Sequence, residues 1–151
     1  MKSVKTACTF RLTCLVFALL LLISVPVSAS AEESQPRASI YLQTYSAYVY
    51  AVGNGGLQVQ FNVISEYDLN EIGVLTIELY ESTDNVNFTR VKTFNYETYA
   101  QMMGFDTYIH SSYVPYQGVA GRYYKCYVTV WGSLRGRGDS REFWTDSVQA
   151  T

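Results

Sequence analysis

The segment from Leu57 to Val63 alternates without a break, with Leu57, Val59, Phe61 and Val63 on one side and Gln58, Gln60 and Asn62 on the other. A period of two predicts a strand with one buried and one wet face. Upstream, "SIYLQTYSAYVYAV" is rich in tyrosine and β-branched residues, and the "GNGG" between the two segments tolerates positive φ. Together these features predict a β-hairpin. Further on, "VLTIELY" places Leu75, Ile77 and Leu79 inward and Thr76, Glu78 and Tyr80 outward. In "GRYYKCYVTVW" the inward set is Tyr124, Cys126, Val128 and Val130, and the outward set is Tyr123, Lys125, Tyr127, Thr129 and Trp131.

The intervening segments fill in the order. "EYDLNEIG" is expected to be a turn or a single helical turn, "ESTDNVNF" a polar turn, and "TRVKTFNY" a polar strand at a sheet edge. "ETYAQMMGF" fits either a short helix or a loop crossing between sheets. "DTYIHSSYVPY" reads as a strand whose Pro115 points to an edge or a strand end, and "REFWTDSVQ" closes the chain. About seven strands, separated by turns bearing Gly, Asn or Asp and with no long helical pattern, predict an all-β fold. The expected architecture is a single antiparallel β-sandwich over residues 39–151.

The first thirty residues follow a different pattern. Lys2, Lys5 and Arg11 precede an apolar run from Leu12 to Val27, and Ala29-Ser30-Ala31 ends it with small residues at the spacing of a cleavage site. That order predicts an N-terminal signal helix over residues 1–31, cut after Ala31. The run falls short of the ~20 apolar residues a membrane span needs, so no membrane anchor is expected after cleavage. The expected location is therefore secreted, or extracellular. Residues 32–38, "EESQPRA", are polar and contain Pro36, as expected of a flexible leader.

Cleavage changes the composition. Cys8 and Cys14 leave with the signal, so Cys126 is the only thiol of the mature domain and no internal disulfide can form. Such cysteine usage is common among proteins exported by Gram-positive bacteria. Three basic residues are lost as well, leaving eight against thirteen acidic ones and a net charge of −5. An acidic exported domain is a poor partner for nucleic acid or anionic membranes.

The catalytic inventory is thin. His110 is the only histidine, and it lies on a different predicted strand from Cys126, with nothing to place the two together. Cys126, on an inward face, reads as a core residue. Glu66, Asp68 and Glu71 cluster near a turn, but their spacing matches no cation-binding loop. No zinc spacing, phosphate-cradling glycine loop or serine elbow occurs. No catalytic residue, metal or cofactor is expected. Asn87-Phe88-Thr89 is a formal glycosylation sequon, of consequence only in a eukaryotic secretory route.

Two features remain as candidate sites. Tyr123, Tyr127 and Trp131 form a period-two aromatic stripe, with Trp144 on the partner strand, and such a row could stack on sugar rings or grip a protein partner. The second is Arg137-Gly138-Asp139 in "SLRGRGDSREFW", expected at the turn between the last two strands, with Gly132, Gly136 and Gly138 giving the backbone freedom. This tripeptide resembles the adhesion sequence of fibronectin-type integrin ligands, and a turn of this kind would display it in a similar way.

Tyr124-Lys125-Cys126 resembles the corner tyrosine two residues before the strand F cysteine of immunoglobulin-like and fibronectin type III sandwiches, although the partner cysteine is missing. A broader resemblance runs through "SAYVYAVGNGGLQVQF", "EIGVLTIELYESTDN", "MMGFDTYIHSSYV", "YQGVAGRYYKCYV" and "GDSREFWT". This order is similar to a family of small secreted proteins of unknown function from Gram-positive anaerobic bacteria. The resemblance implies export and a bacterial source, and it supplies no catalytic residues. The function expected is a non-catalytic binding or interaction module with a glycan or cell-surface protein as partner. The alternatives are a carbohydrate-binding module using the aromatic stripe, an adhesion ligand, and an enzyme with an unrecognised site.

Overall fold

A computed structural model describes residues 39–151; the expected signal helix, its cleavage site at Ala29 and Ala31, and the leader lie outside the described residues. The described chain is all-β and antiparallel, with strands β1 (Thr44–Gly53), β2 (Gly56–Ser82), β3 (Thr89–Asn95), β4 (Met103–Gln117), β5 (Tyr123–Leu134), β6 (Arg137–Trp144) and β7 (Val148–Gln149). A single 3-10 turn, Ala100–Met102, takes the place of the short helix or crossing loop before β4 and buries Met102.

The organising element is β2, which runs for 27 residues. Its first half pairs with β1 on one side and β4 on the other; its second half pairs with β5 and β3. β6 and β7 extend the sheet beyond β5. All seven strands therefore belong to one hydrogen-bonded sheet, which curls about the bend in β2. The inward residues of both halves meet in one core that includes Val59, Phe61, Val63, Ile77, Leu79, Phe94, Val114, Cys126 and Val128. Contacts between the halves close the curl: the Tyr45 and Phe143 rings stand 5.4 Å apart, and Tyr116 packs edge-on to both Phe94 and Tyr124.

"EYDLNEIG" is strand, not a turn. Glu66, Tyr67 and Asp68 are exposed where β2 bends, and β4 skips residues there, pairing Ile64 with Ile109 and then Leu69 with Thr107. The polar run marks a bulge, which turns a strand without ending it, and Leu69 and Ile72 on its far side are fully buried. A second correction concerns Leu75. A register shift between Val74 and Thr76 leaves Leu75 as the extra residue opposite β5, so it is only half-buried while Val74 takes the core position. Alternation resumes at Ile77 and Leu79, both fully buried.

The β1–β2 hairpin turns at Asn54-Gly55, both with positive φ, as a two-residue turn joining right-twisted strands requires. β5 and β6 turn in the same way at Arg135-Gly136. β3 and β4 each pair only with β2, so both are edge strands, consistent with the polarity of β3 and with Pro115 in β4.

Candidate functional site

The outward residues of β5 and β6 form the face on which the aromatic stripe was expected. Tyr127 pairs with Trp144 across the two strands, which places Trp144 on this face, and their ring centroids lie 5.0 Å apart. Tyr80, from β2, adds an edge-on contact to Trp144 at 5.0 Å. The remaining two members do not join them. Trp131 donates its indole N–H to Glu71 at 2.9 Å, and its ring lies against Gly138, where any Cβ would overlap it. Tyr123 pairs with Gln149 of β7 and has no ring neighbour among the described residues.

This face satisfies its own rings. The Lys125 ammonium sits 4.3 Å from the Phe88 centroid and 4.5 Å from that of Trp144, so the cation that such a cluster attracts comes from the chain itself. Tyr127 donates its hydroxyl to Glu142 and Tyr80 donates to Glu78, which also pairs with Arg90. Those carboxylate acceptors hold both phenols protonated above their ordinary range.

A different face lies open. On the outside of β1, β2 and β4, the register lines up Tyr48, Gln60 and Tyr113 in one row across the strands, and Ser46, Asn62 and Ser111 in the next. Tyr50 follows Tyr48 along β1, with the two ring centroids 6.1 Å apart. Together they line an open groove of ≈ 500 Å³. Tyr48 is 55% exposed, Tyr113 49% and Tyr50 46%, and Gln60 between them is exposed too. Residue pattern alone singled out none of these as a site. The hairpin signal brings β1 and β2 together, but the register that sets Tyr48 opposite Gln60 depends on the irregularity between Ala51 and Gly53.

The adhesion tripeptide is not at the turn. The two-residue turn ends at Gly136, so Arg137, Gly138 and Asp139 are the first residues of β6, paired with Leu134, Ser133 and Gly132. Of the three glycines assigned to backbone freedom, only Gly136 has positive φ. Gly132 admits the Leu42 and Leu69 side chains, and Gly138 admits the Trp131 ring. The Asp139 carboxylate accepts from the Ser39 hydroxyl at 2.7 Å and the Ile40 N–H at 2.9 Å, and pairs with Arg141. Burial raises its pKa, but the Ser39 and Ile40 hydrogen bonds and the Arg141 charge outweigh that and hold the carboxyl below its usual range.

The remaining titratable groups have structural partners. His110, on β4, is bonded through Nε2 to the Gln101 carbonyl, and its ring covers Gly104. Cys126 is fully buried on β5, and burial pushes its thiol up to about 12. Glu71 accepts from both Trp131 and Ser133, and among the described residues no three His, Cys, Asp or Glu side chains come together as ligands would. No protein-family model matches the chain, and no curated protein matches it.

Proposed function

We propose that the chain is a secreted, non-catalytic binding module acting at a cell surface or in the surrounding medium, with its ligand on the outer face of β1, β2 and β4. The observation that carries this function is the groove itself, where three tyrosine rings stand about half open around an exposed glutamine. Large rings left open on rigid strands are the usual mark of a contact surface. Non-catalytic action is supported by the commitments of the two best nucleophile and base candidates, a buried thiol and a histidine bonded to a carbonyl. Export is supported by the order of charge, apolar run and small residues at the N-terminus.

The same proposal takes the curled sheet as a sandwich of the immunoglobulin and fibronectin type III kind. Pairing of β1 and β4 with the first half of β2, of β3 and β5 with its second half, and of β6 with β5 is the set of neighbour relations expected of strands A-B-E and C′-C-F-G. Tyr124 adds support: near the start of β5, its hydroxyl accepts from the backbone N–H of Val119, five residues upstream, as a corner tyrosine does. Adhesion through Arg137-Gly138-Asp139 has less behind it, because the Asp139 carboxylate that a receptor would need is already bound within the domain.

Mixing the exported protein with insoluble cell-envelope and polysaccharide fractions tests the function. The expected result is depletion from solution, lost in the Tyr48→Ala/Tyr113→Ala double variant, with no soluble product released. Release of sugar or peptide by wild type, but not by heat-inactivated protein, would overturn non-catalytic action. N-terminal sequencing of the exported form is expected to begin at Glu32 and checks the processing independently.

A further inference from the structure

We infer that the groove on β1, β2 and β4 is a site for a neutral glycan chain; this rests on the binding function proposed above and names its ligand. A sugar ring offers an apolar C–H face and a rim of hydroxyls. A complementary protein surface therefore needs flat rings for the face and uncharged donors and acceptors for the rim. The groove supplies both sets on one rigid sheet. Tyr48 and Tyr113 lie on β1 and β4, two strand spacings apart, or about 10 Å, with Gln60 between them in register. A chain of sugar rings running across the strands would thus meet a ring, an amide and a second ring in turn. Tyr50 extends the apolar surface along β1.

The second row supplies the polar rim. The Asn62 side-chain carbonyl accepts from the Ser111 hydroxyl, which orients the amide and leaves its NH2 group for a ligand oxygen. Gln60 offers a carbonyl and an NH2 between the two rings. Charge decides the class of glycan. No lining residue is charged, in a chain with thirteen carboxylates and eleven basic residues overall. An acidic polysaccharide or a nucleic acid finds no counter-charge there, whereas an uncharged hydroxyl-rich chain needs none. Tyr, Ser and Asn also make up protein-binding loops, but here they stand on three paired strands, with no aliphatic anchor and no arginine among the lining residues.

The test is affinity electrophoresis of the exported protein, purified from the medium, in gels containing hydroxyethyl cellulose, galactomannan or polygalacturonate, alongside an array of neutral oligosaccharides. Binding to at least one neutral glycan is expected, with no retardation by polygalacturonate. Tyr48→Ala and Tyr113→Ala should each weaken that binding roughly three- to tenfold, the loss of one ring contact, with unchanged thermal melting. Tyr67→Ala, which removes an equally exposed ring outside the groove, should leave it intact. Failure of every neutral glycan overturns the assignment, as does neutral-glycan binding that both groove variants retain in full. If a purified cell-surface protein is instead bound in a Tyr48-dependent way, the ligand class is wrong and the binding function stands. If neither glycan nor protein is bound, both fall.

Discussion

Tyr124→Phe removes a single oxygen that ties three segments together. The Tyr124 hydroxyl accepts from the Val119 N–H at 2.8 Å and donates to the Glu81 carboxylate at 2.6 Å, linking the β4–β5 connection to the end of β2. Glu81 also receives the Arg122 guanidinium at 2.7 Å. A neutral hydrogen bond contributes about 0.5–1.5 kcal/mol and one to a charged group about 1.5–3. The full sum is not expected, because Arg122 stays on Glu81 and the exposed Val119 backbone can recruit water. A loss of about 2 kcal/mol is the expected outcome. With a urea slope of about 1.5 kcal/mol/M for a domain of this size, the midpoint should fall by about 1.3 M without a change in slope. The effect also has a pH signature. Burial first, and then the bond to Glu81, push the Tyr124 hydroxyl up to about 12, against an unfolded value near 10. A raised pKa contributes stability that is complete below about pH 10 and is lost as pH climbs through 12. The gap between wild type and Tyr124→Phe should therefore narrow over that window. A midpoint shift under about 0.3 M at pH 7, or a gap independent of pH, would refute the assignment of the hydroxyl as a structural tie.

Three further outcomes follow from the packing. Cys126, fully buried and raised to about 12, should ignore a thiol reagent at pH 8 in the native residue 32–151 domain and react once per domain in 8 M urea; rapid native labelling would contradict its placement. Gly73→Ala drives a Cβ into the Met102 carbonyl oxygen and should cost about 2–3 kcal/mol in denaturant melts, whereas a neutral result would mean that the 3-10 turn yields freely. Asp139→Asn should flatten the acid limb of stability measured by melting between pH 7 and 2. A depressed carboxyl contributes stability present above its unfolded pKa of about 3.9 and lost as pH falls through the folded value, and an amide cannot. An acid limb identical to wild type would count against the bonds from Ser39 and Ile40.

Most of the strands could be read from alternation, because burial on one face imposes a period of two wherever pairing is regular. Leu57 to Val63 and Tyr123 to Trp131 are such stretches. Alternation fails where a bulge adds a residue, and β2 contains two such places. The polar residues Glu66 to Asp68 look like a turn because they face water at a bend, yet Leu69 and Ile72 return the chain to the core. Leu75 loses its core position to Val74 through one slipped pair. The candidate groove was hidden for a related reason. A two-residue turn at Asn54-Gly55 pairs Gly53 with Gly56, and regular continuation would set Tyr48 opposite Phe61. The irregularity around Val52 shifts the register by one residue, so that Tyr48 meets Gln60 instead. A one-residue slip exchanges the faces of a whole strand, and the third ring, Tyr113, arrives from β4, far along the chain.

The contrast between the two outer faces bears on what each can recognise. Both halves of the sheet carry tyrosines outward, so the presence of rings does not separate them. On β5, β6 and the adjoining end of β2, four of the outward rings have a partner from the chain: Lys125 over Trp144, Glu142 on Tyr127, Glu78 on Tyr80, Gly138 under Trp131. A ligand binding there must displace a cation or a charge-assisted hydrogen bond, and that cost is subtracted from whatever the new contact gains. On β1, β2 and β4, by contrast, the only such commitment in the second row is Ser111 to Asn62, which orients an amide without consuming its donors. The same logic applies to Arg137-Gly138-Asp139. Replacing Gly138 displaces Trp131 and replacing Asp139 frees Ser39 and Ile40, so either variant alters the fold before it reports on adhesion. Exposed Arg137 is the member whose replacement leaves packing alone, and Arg137→Ala is expected to shift stability by no more than about 0.5 kcal/mol. Cell attachment lost in Arg137→Ala at wild-type stability would establish recognition of the tripeptide; attachment unchanged in that variant assigns the Asp139 effects to the fold.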